Sequence, residues 1–394
     1  MRRPTLEGQT MMKQSVYCSV ASISLLMSAC ATSGTSDAQG SNEETIISID
    51  AVDRTASTDG TSTDDLSYKI LGMPDEIVGE TALLAWPGSG VAVAFEGSQL
   101  LATINGNSDT YLDVQINDVA TTIQLNDGRF TYRLIDTVQG SYDVSLRIRT
   151  ERPYRPIVFE GFTSDDGTMT KPARSDLQLL VVGDDVAAGY GIEGEDQFCS
   201  YSRETQNANL SFASLAAADL KADVATIARS GRGLTKNWDG NPAPNMAEFY
   251  ERTMDTDAPT LLGPMDAVIV QLGGMDIAQE GLDADFKTDY SNFLSEIRGD
   301  HPDAEIVAAW GPMGSGDRYA AAKTAITVAV ADRTASGDNK VSFIEFTNTE
   351  FGQLYGCNWH PSADTQRFMA SRLVDHLADR LEINVDLDDL LLGG

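Results

Sequence analysis

The chain has 394 residues, and its 59 Asp and Glu against 28 Lys and Arg leave a formal net charge of −31. Such a length suggests two or three domains, and with 42% apolar residues a sizeable core is within reach, so wholesale disorder is excluded. So acidic a balance also excludes a nucleic-acid partner, which needs a basic face to displace counterions from phosphates.

The N-terminus reads as an address. Arg2, Arg3 and Lys13 precede an apolar run from Val16 to Ala29 that is short for a bilayer span. It ends in Leu26-Met27-Ser28-Ala29-Cys30, similar to the lipobox of a bacterial lipoprotein signal, so residues 1–30 are expected to be the signal region and Cys30 the lipidated residue. A plain secretory signal with an incidental cysteine is the alternative. Residues 31–65, rich in Ser, Thr, Gly and Asp, read as a flexible tether, with a short strand conceivable around Ile46, Ile47 and Ile49. The expected location is the cell envelope, with a lipid anchor outside the cytoplasm.

From 66 to 168 the apolar period is two. Val91, Val93 and Phe95 alternate with alanines; Leu112, Val114 and Ile116, then Val144, Leu146 and Ile148, alternate with polar residues. Asn105-Gly106 and Asn126-Asp127-Gly128 supply turns. Short strands with one wet face and no helices between them indicate a β-sandwich or jelly roll.

From 175 to 382 the pattern changes. Apolar runs at 177–182, 224–228, 267–272, 306–310 and 341–346 alternate with helical stretches such as 205–220 and 286–298. Strands buried on both faces and separated by helices predict a parallel sheet covered on both sides. A helix over 362–381 closes the domain, and 383–394 forms an acidic, leucine-rich tail. Of four cysteines, Cys18 lies in the signal region and Cys30 at its end, leaving Cys199 and Cys357. One disulfide is the simplest reading in an oxidising compartment, and two free buried thiols are the alternative.

In an open parallel sheet, sites form beyond the carboxyl ends of the strands. Those ends carry Gly183-Asp184-Asp185, Ser230-Gly231-Arg232-Gly233, Gly273-Gly274-Met275-Asp276 and Cys357-Asn358-Trp359-His360-Pro361. Together with Ala85-Trp86-Pro87-Gly88-Ser89, Arg149-Thr150-Glu151, Ala188-Gly189-Tyr190-Gly191, Glu204-Thr205-Gln206-Asn207-Ala208 and Ser362, their order and spacing carry a family signal. Here the chain resembles the SGNH (GDSL-type) hydrolases, and more narrowly carbohydrate esterase family 2. The resemblance implies a jelly roll followed by a flavodoxin-like SGNH α/β domain, deacetylation of polysaccharides, and no cofactor. An acetylated polysaccharide or other glycan is the implied partner. A bridge between Cys199 and Cys357 would pin the His360 loop beside the first site loop.

The departures decide the function. The family's serine nucleophile is Asp185 here, its oxyanion-hole asparagine is Met275, and the acid expected before the histidine is Asn358. Gly231, an oxyanion-hole amide by resemblance, and His360 stand unchanged. A carboxylate at 185 has no proton to give, would pair with His360 and would oppose a developing oxyanion. The resulting expectation is a degenerate esterase that retains a glycan cleft. Further readings are Asp185 as a carboxylate nucleophile, a metal site of Asp184, Asp185, Asn358 and His360, or a serine supplied from Ser200, Ser202 or Ser230. Both leading readings expect an Asp185 oxygen within hydrogen-bond reach of His360. Tyr190 and Trp359 are candidates to line the cleft, Asp276 reads as a structural acceptor, and His301 and His376 read as surface residues. His360, before a proline, could alternatively cap the last helix.

Overall fold

In the computed structural model the described residues are 66–151, 157–251, 263–279, 281–347 and 354–384, side chains of Asp75 and Glu76 excepted. The expected signal region with Cys18 and Cys30, the tether with its isoleucines, and the tail from 385 onward lie outside them.

The first domain is antiparallel. Its strands are β1 (Lys69–Leu71), β2 (Pro74–Val78), β3 (Thr81–Leu84), β4 (Gly90–Gly106), β5 (Tyr111–Ile116), β6 (Val119–Gln124), β7 (Gly128–Ile148), β8 (Ile157–Thr163) and β9 (Thr168–Thr170). The long β4 and β7 pair along their lengths, with register shifts between Gly97 and Gln99 and between Leu100 and Leu101. These irregularities bend the ribbon. One half of β4 pairs with β1 and β9 and the other with β8, while β5 joins the far half of β7. Two layers therefore share two strands, and the alternating residues Val91, Val93, Phe95, Leu112, Val114, Ile116, Val144, Leu146 and Ile148 are buried between them. This is the expected jelly-roll-type sandwich.

The second domain has five parallel strands, β10 (Gln178–Gly183), β11 (Asp223–Ala228), β12 (Ala267–Gln271), β13 (Glu305–Trp310) and β14 (Val341–Glu345), in the order β11-β10-β12-β13-β14. Its helices are α1 (Phe212–Asp219), α2 (Met246–Glu251), α3 (Phe286–Asp300), α4 (Gly316–Ala335) and α5 (Ala363–Leu381). Every residue of central β12 is buried, which is why its sequence runs apolar rather than alternating. Apolar clusters occupy both faces of the sheet. Met73 and Trp86 of the first domain pack into one of them, Trp86 edge-on to Phe249 with ring centroids 6.0 Å apart. The two domains thus share core.

Two expectations need correction. The helix read over 205–220 begins only at Phe212. Asn207 accepts from the Asn209 N–H and Ser211 from the Ser214 N–H, so each closes a local turn and the second caps α1. His301 is not a surface residue: it follows α3, is only 3% exposed, and burial lowers its pKa. His376 is half-buried and shares a 2.9 Å hydrogen bond with Ser342 Oγ.

Glu296 on α3 lies beside Glu251 and Asp300, and burial followed by these charges pushes its pKa up to about 7. A carboxyl raised in the fold stabilises it only while protonated. Its contribution is present below the unfolded value of about 4.5 and is lost as pH rises through about 7. Glu296→Gln is expected to flatten the decline of stability between these values, measured as urea midpoints across that pH range. A second expectation concerns the bridge between Cys199 and Cys357, which are 158 residues apart in sequence. Replacing both by serine should cost about 2–5 kcal/mol of unfolding free energy in denaturant titrations.

Candidate active site

The parallel register pairs Gly183 of β10 with Ala228 of β11. The chain leaving each strand therefore enters the same space, and Asp185 meets Gly231 there. Gly231 has φ +77°, a conformation that L side chains rarely adopt, while a Cβ at that residue would have room. The backbone angle is the reason for glycine. Its N–H donates to Asp185 at 3.1 Å (Oδ1) and 3.3 Å (Oδ2). The carboxylate, at the expected nucleophile position, has taken up the amide that resemblance assigns to the oxyanion hole.

His360 stands beside it without reaching it. Its Nε2 is 3.8 Å from Asp185 Oδ1, an ion-pair distance beyond hydrogen-bond length, so the expected hydrogen bond is absent. The ring's orientation explains this. Nδ1 lies 3.1 Å from the backbone carbonyl of Asn358, which can only accept, so Nδ1 carries the proton in the neutral ring. In that tautomer Nε2 faces the carboxylate with a lone pair. The side chain of Asn358 does not orient His360; its Nδ2 donates to the Tyr190 hydroxyl at 3.2 Å. His360 does not cap α5 either, since Ser362 accepts the N–H of Thr365 in that role.

Tyr190 lines the cavity beside His360, with two rings against its own. Tyr201 stacks on it at 4.1 Å between centroids, and His360 tilts against it at 4.3 Å. It is a spacer that holds the imidazole. Trp359 is 53% exposed next to His360, packed edge-on by Phe198 and tilted against Tyr355. Asn358 and Trp359 both have positive φ, 53° and 63°. The disulfide between Cys199 and Cys357, with N–H bonds from Cys357 to Gly191 O and from Asn358 to Cys199 O, holds the loop in that shape.

Behind the site lie three more carboxyls. Burial, then the charge of Asp185, pushes the pKa of Asp184 well above the usual carboxylate range. Glu151, from the first domain, accepts from the N–H of Ser230 at 2.6 Å and from Gln206 Nε2 at 3.1 Å; burial raises its pKa against those hydrogen bonds. Asp276 accepts from the N–H groups of Leu234, Thr235 and Lys236 and from the Thr235 hydroxyl, and so organises a loop.

A cavity of about 740 Å³ opens over these groups. Asp184, Asp185, Ser230, Gly231, Met275, Asn358 and His360 line it, with Trp238, Gln271, Trp310 and Met313 among its other walls. Met275 presents a thioether where an amide donor would be needed. The indole N–H of Trp310 and the Oε1 of Gln271 are buried without a partner among the described residues. Sequence reading missed Gln271, Trp238 and Trp310. A polar residue closing an apolar strand, and a tryptophan inside the turn-rich stretch Trp238-Asp239-Gly240, are the signals that mark the first two. Among the described residues no serine bonds to His360. No group of three or more His, Cys, Asp or Glu able to hold a metal occurs among the described residues.

Residues 75–173 match the carbohydrate esterase 2 N-terminal family, and residues 181–376 the GDSL-like lipase/acylhydrolase family. Over 305 residues, 75% of this chain, it is 30% identical to the cellulase/esterase CelE of Acetivibrio thermocellus, of which it spans 37%. It is 30% identical over 251 residues to an acetylxylan esterase/glucomannan deacetylase of Cellvibrio japonicus, covering 60% of this chain and 69% of that protein. A family two carbohydrate esterase from Clostridium thermocellum, solved in complex with cellohexaose, superposes with a TM-score of 0.75 at 29% identity, over 80% of this chain and 99% of that one. A family two esterase from Cellvibrio japonicus shares the fold with a TM-score of 0.73 at 24% identity, over 83% of this chain and 98% of that one. The chain belongs to carbohydrate esterase family 2, within the SGNH superfamily.

Proposed function

We propose that this protein binds a polysaccharide in the cleft beside His360 and has lost serine-esterase turnover. The observation that carries the reading is the Gly231 N–H spent on Asp185. Acyl transfer requires a nucleophile with a proton to release, a neutral imidazole to take it, and donors left empty for the oxygen that becomes negative. Asp185 supplies no proton, its carboxylate fills the donor, and Met275 adds none.

Attack by the carboxylate itself is a poorer reading. The oxygens of Asp185 are held at Gly231 rather than at His360, and an acyl substrate would pass through a high-energy anhydride. Exposed Trp359, Phe198 and Trp238, at 53%, 74% and 58%, offer apolar faces for sugar rings near the cleft. The Cellvibrio japonicus relative is an acetylxylan esterase/glucomannan deacetylase, and another relative was solved with cellohexaose, which supports a glycan as the partner.

The site test is acetyl-ester hydrolysis on p-nitrophenyl acetate and acetylated xylan. The unmodified protein should show no turnover above buffer. Asp185→Ser frees the Gly231 N–H and supplies a hydroxyl, and adding Met275→Asn should raise the rate by about 10²–10³ more. Robust turnover by the unmodified protein, abolished by His360→Ala, would sink the reading.

The same proposal holds the protein at the envelope by a lipid on Cys30. Cys30→Ser should move the protein from the membrane fraction to the soluble fraction and remove incorporation of labelled palmitate; unchanged partition would discard the anchor.

A further inference from the structure

We infer that the cavity takes a primary ammonium group carried on a sugar ring, an amino-sugar unit with its amine unacylated, in place of an acetyl ester. The inference rests on the glycan-cleft reading above and adds the chemistry of the sugar.

The polarity of the cavity has been reversed. An acetyl ester presents only acceptor oxygens, and the two positions that resemblance assigns to meet them are gone or engaged: the Met275 side chain donates nothing, and the Gly231 N–H is held by Asp185. What the cavity offers instead is an acceptor with a charge. The side chain of Asp185 is 7% exposed, and a carboxylate has room for about four hydrogen bonds, whereas Gly231 is its one donor among the described residues. His360 Nε2 stops 3.8 Å short. Arg318 also lines the cavity, but its Nη1 donates to the carbonyls of Ile277, Ala278 and Gln279. Burial raises the pKa of Asp184 and of Glu151, and Glu151 already accepts from Ser230 and Gln206, so Asp185 is the carboxyl in the cavity with acceptor capacity to spare.

An ester carbonyl against Asp185 would leave its carboxylate unpaired, whereas an ammonium brings three donors and cancels the buried charge. Trp238 and Trp310 in the walls favour a cation over a neutral group. The glycan-cleft reading supplies the sugar that carries this amine, and exposed Trp238 is the wall against which its ring packs.

The test is calorimetric binding of three matched trimers, glucosamine, N-acetylglucosamine and glucose, with putrescine as an amine without a sugar. It is run near pH 6 in about 0.15 M salt, where distant surface charges are screened. The glucosamine trimer should bind at least about tenfold tighter than either neutral trimer, and that ratio should fall to near one in Asp185→Asn. Trp238→Ala should reduce the ratio in part, and serves as the readout if Asp185→Asn does not fold. Equal affinity for all three trimers would overturn the ammonium and leave the glycan cleft standing. A preference that survives Asp185→Asn would trace to the net charge of −31 and overturn the proposal. Putrescine binding as tightly as the glucosamine trimer would overturn the sugar, and no binding of any trimer would remove both readings.

Discussion

The contact between the Gly231 N–H and the Asp185 carboxylate governs this site. Serine-type acyl transfer depends on donors that wait unfilled for a charge that exists only in the transition state, and their value comes from being oriented before it appears. Here a permanent negative charge lies on the donor in the resting protein. The amide is still oriented, by the positive φ of Gly231 and by the pairing of β10 with β11. Its preorganisation now stabilises the ground state of a side chain and leaves nothing for a reacting oxygen.

That arrangement needs the first domain. Glu151 reaches from it to the N–H of Ser230, the residue before the oxyanion glycine, and to the buried amide of Gln206. Gln206 in turn accepts from the Tyr201 hydroxyl, and Tyr201 stacks on Tyr190, which supports His360. Arg149 adds bonds to the carbonyls of Gln206 and Glu204 and an ion pair with Glu193. A displacement of the sandwich would therefore reach the imidazole through packed rings and short hydrogen bonds. The shared core around Trp86 and Met73 opposes such a displacement.

Much of the fold was legible because burial pattern follows strand environment. Val144, Leu146 and Ile148 alternate because one face of β7 meets the core, and Ala267 to Gln271 do not because both faces are covered. The helix boundary at Phe212 was misread because Asn207 and Ser211 act through side-chain bonds that compete with the helix, an effect weaker in the sequence than the run of alanines that follows. His301 was misread because Gly299, Asp300, Pro302 and Asp303 around it are polar or turn-forming, while its burial comes from tertiary packing. In the site, the ordered loops located Asp185, Gly231, Met275 and His360. The spacing of Asn358 could not tell its carbonyl from its amide, and the stacking of Tyr190 depends on Tyr201, whose position no motif marks.

Four carboxyls gather at this end of the sheet, and the way each is satisfied separates structure from function. Asp276 has four donors and holds a loop. Glu151 has two, and Asp184, whose pKa burial raises, has one backbone donor at 3.2 Å. Asp185 is the member whose charge and hydrogen-bonding capacity stay largely unmet although it is nearly buried. Folding alone gives no reason to keep such a group, because an unpaired buried charge destabilises the state that contains it. A deficit of this kind, at the floor of a cavity walled by tryptophans, becomes an asset when a cation from outside completes it. On the proposal made above, the carboxylate that stands in for the serine supplies the binding energy for a different ligand.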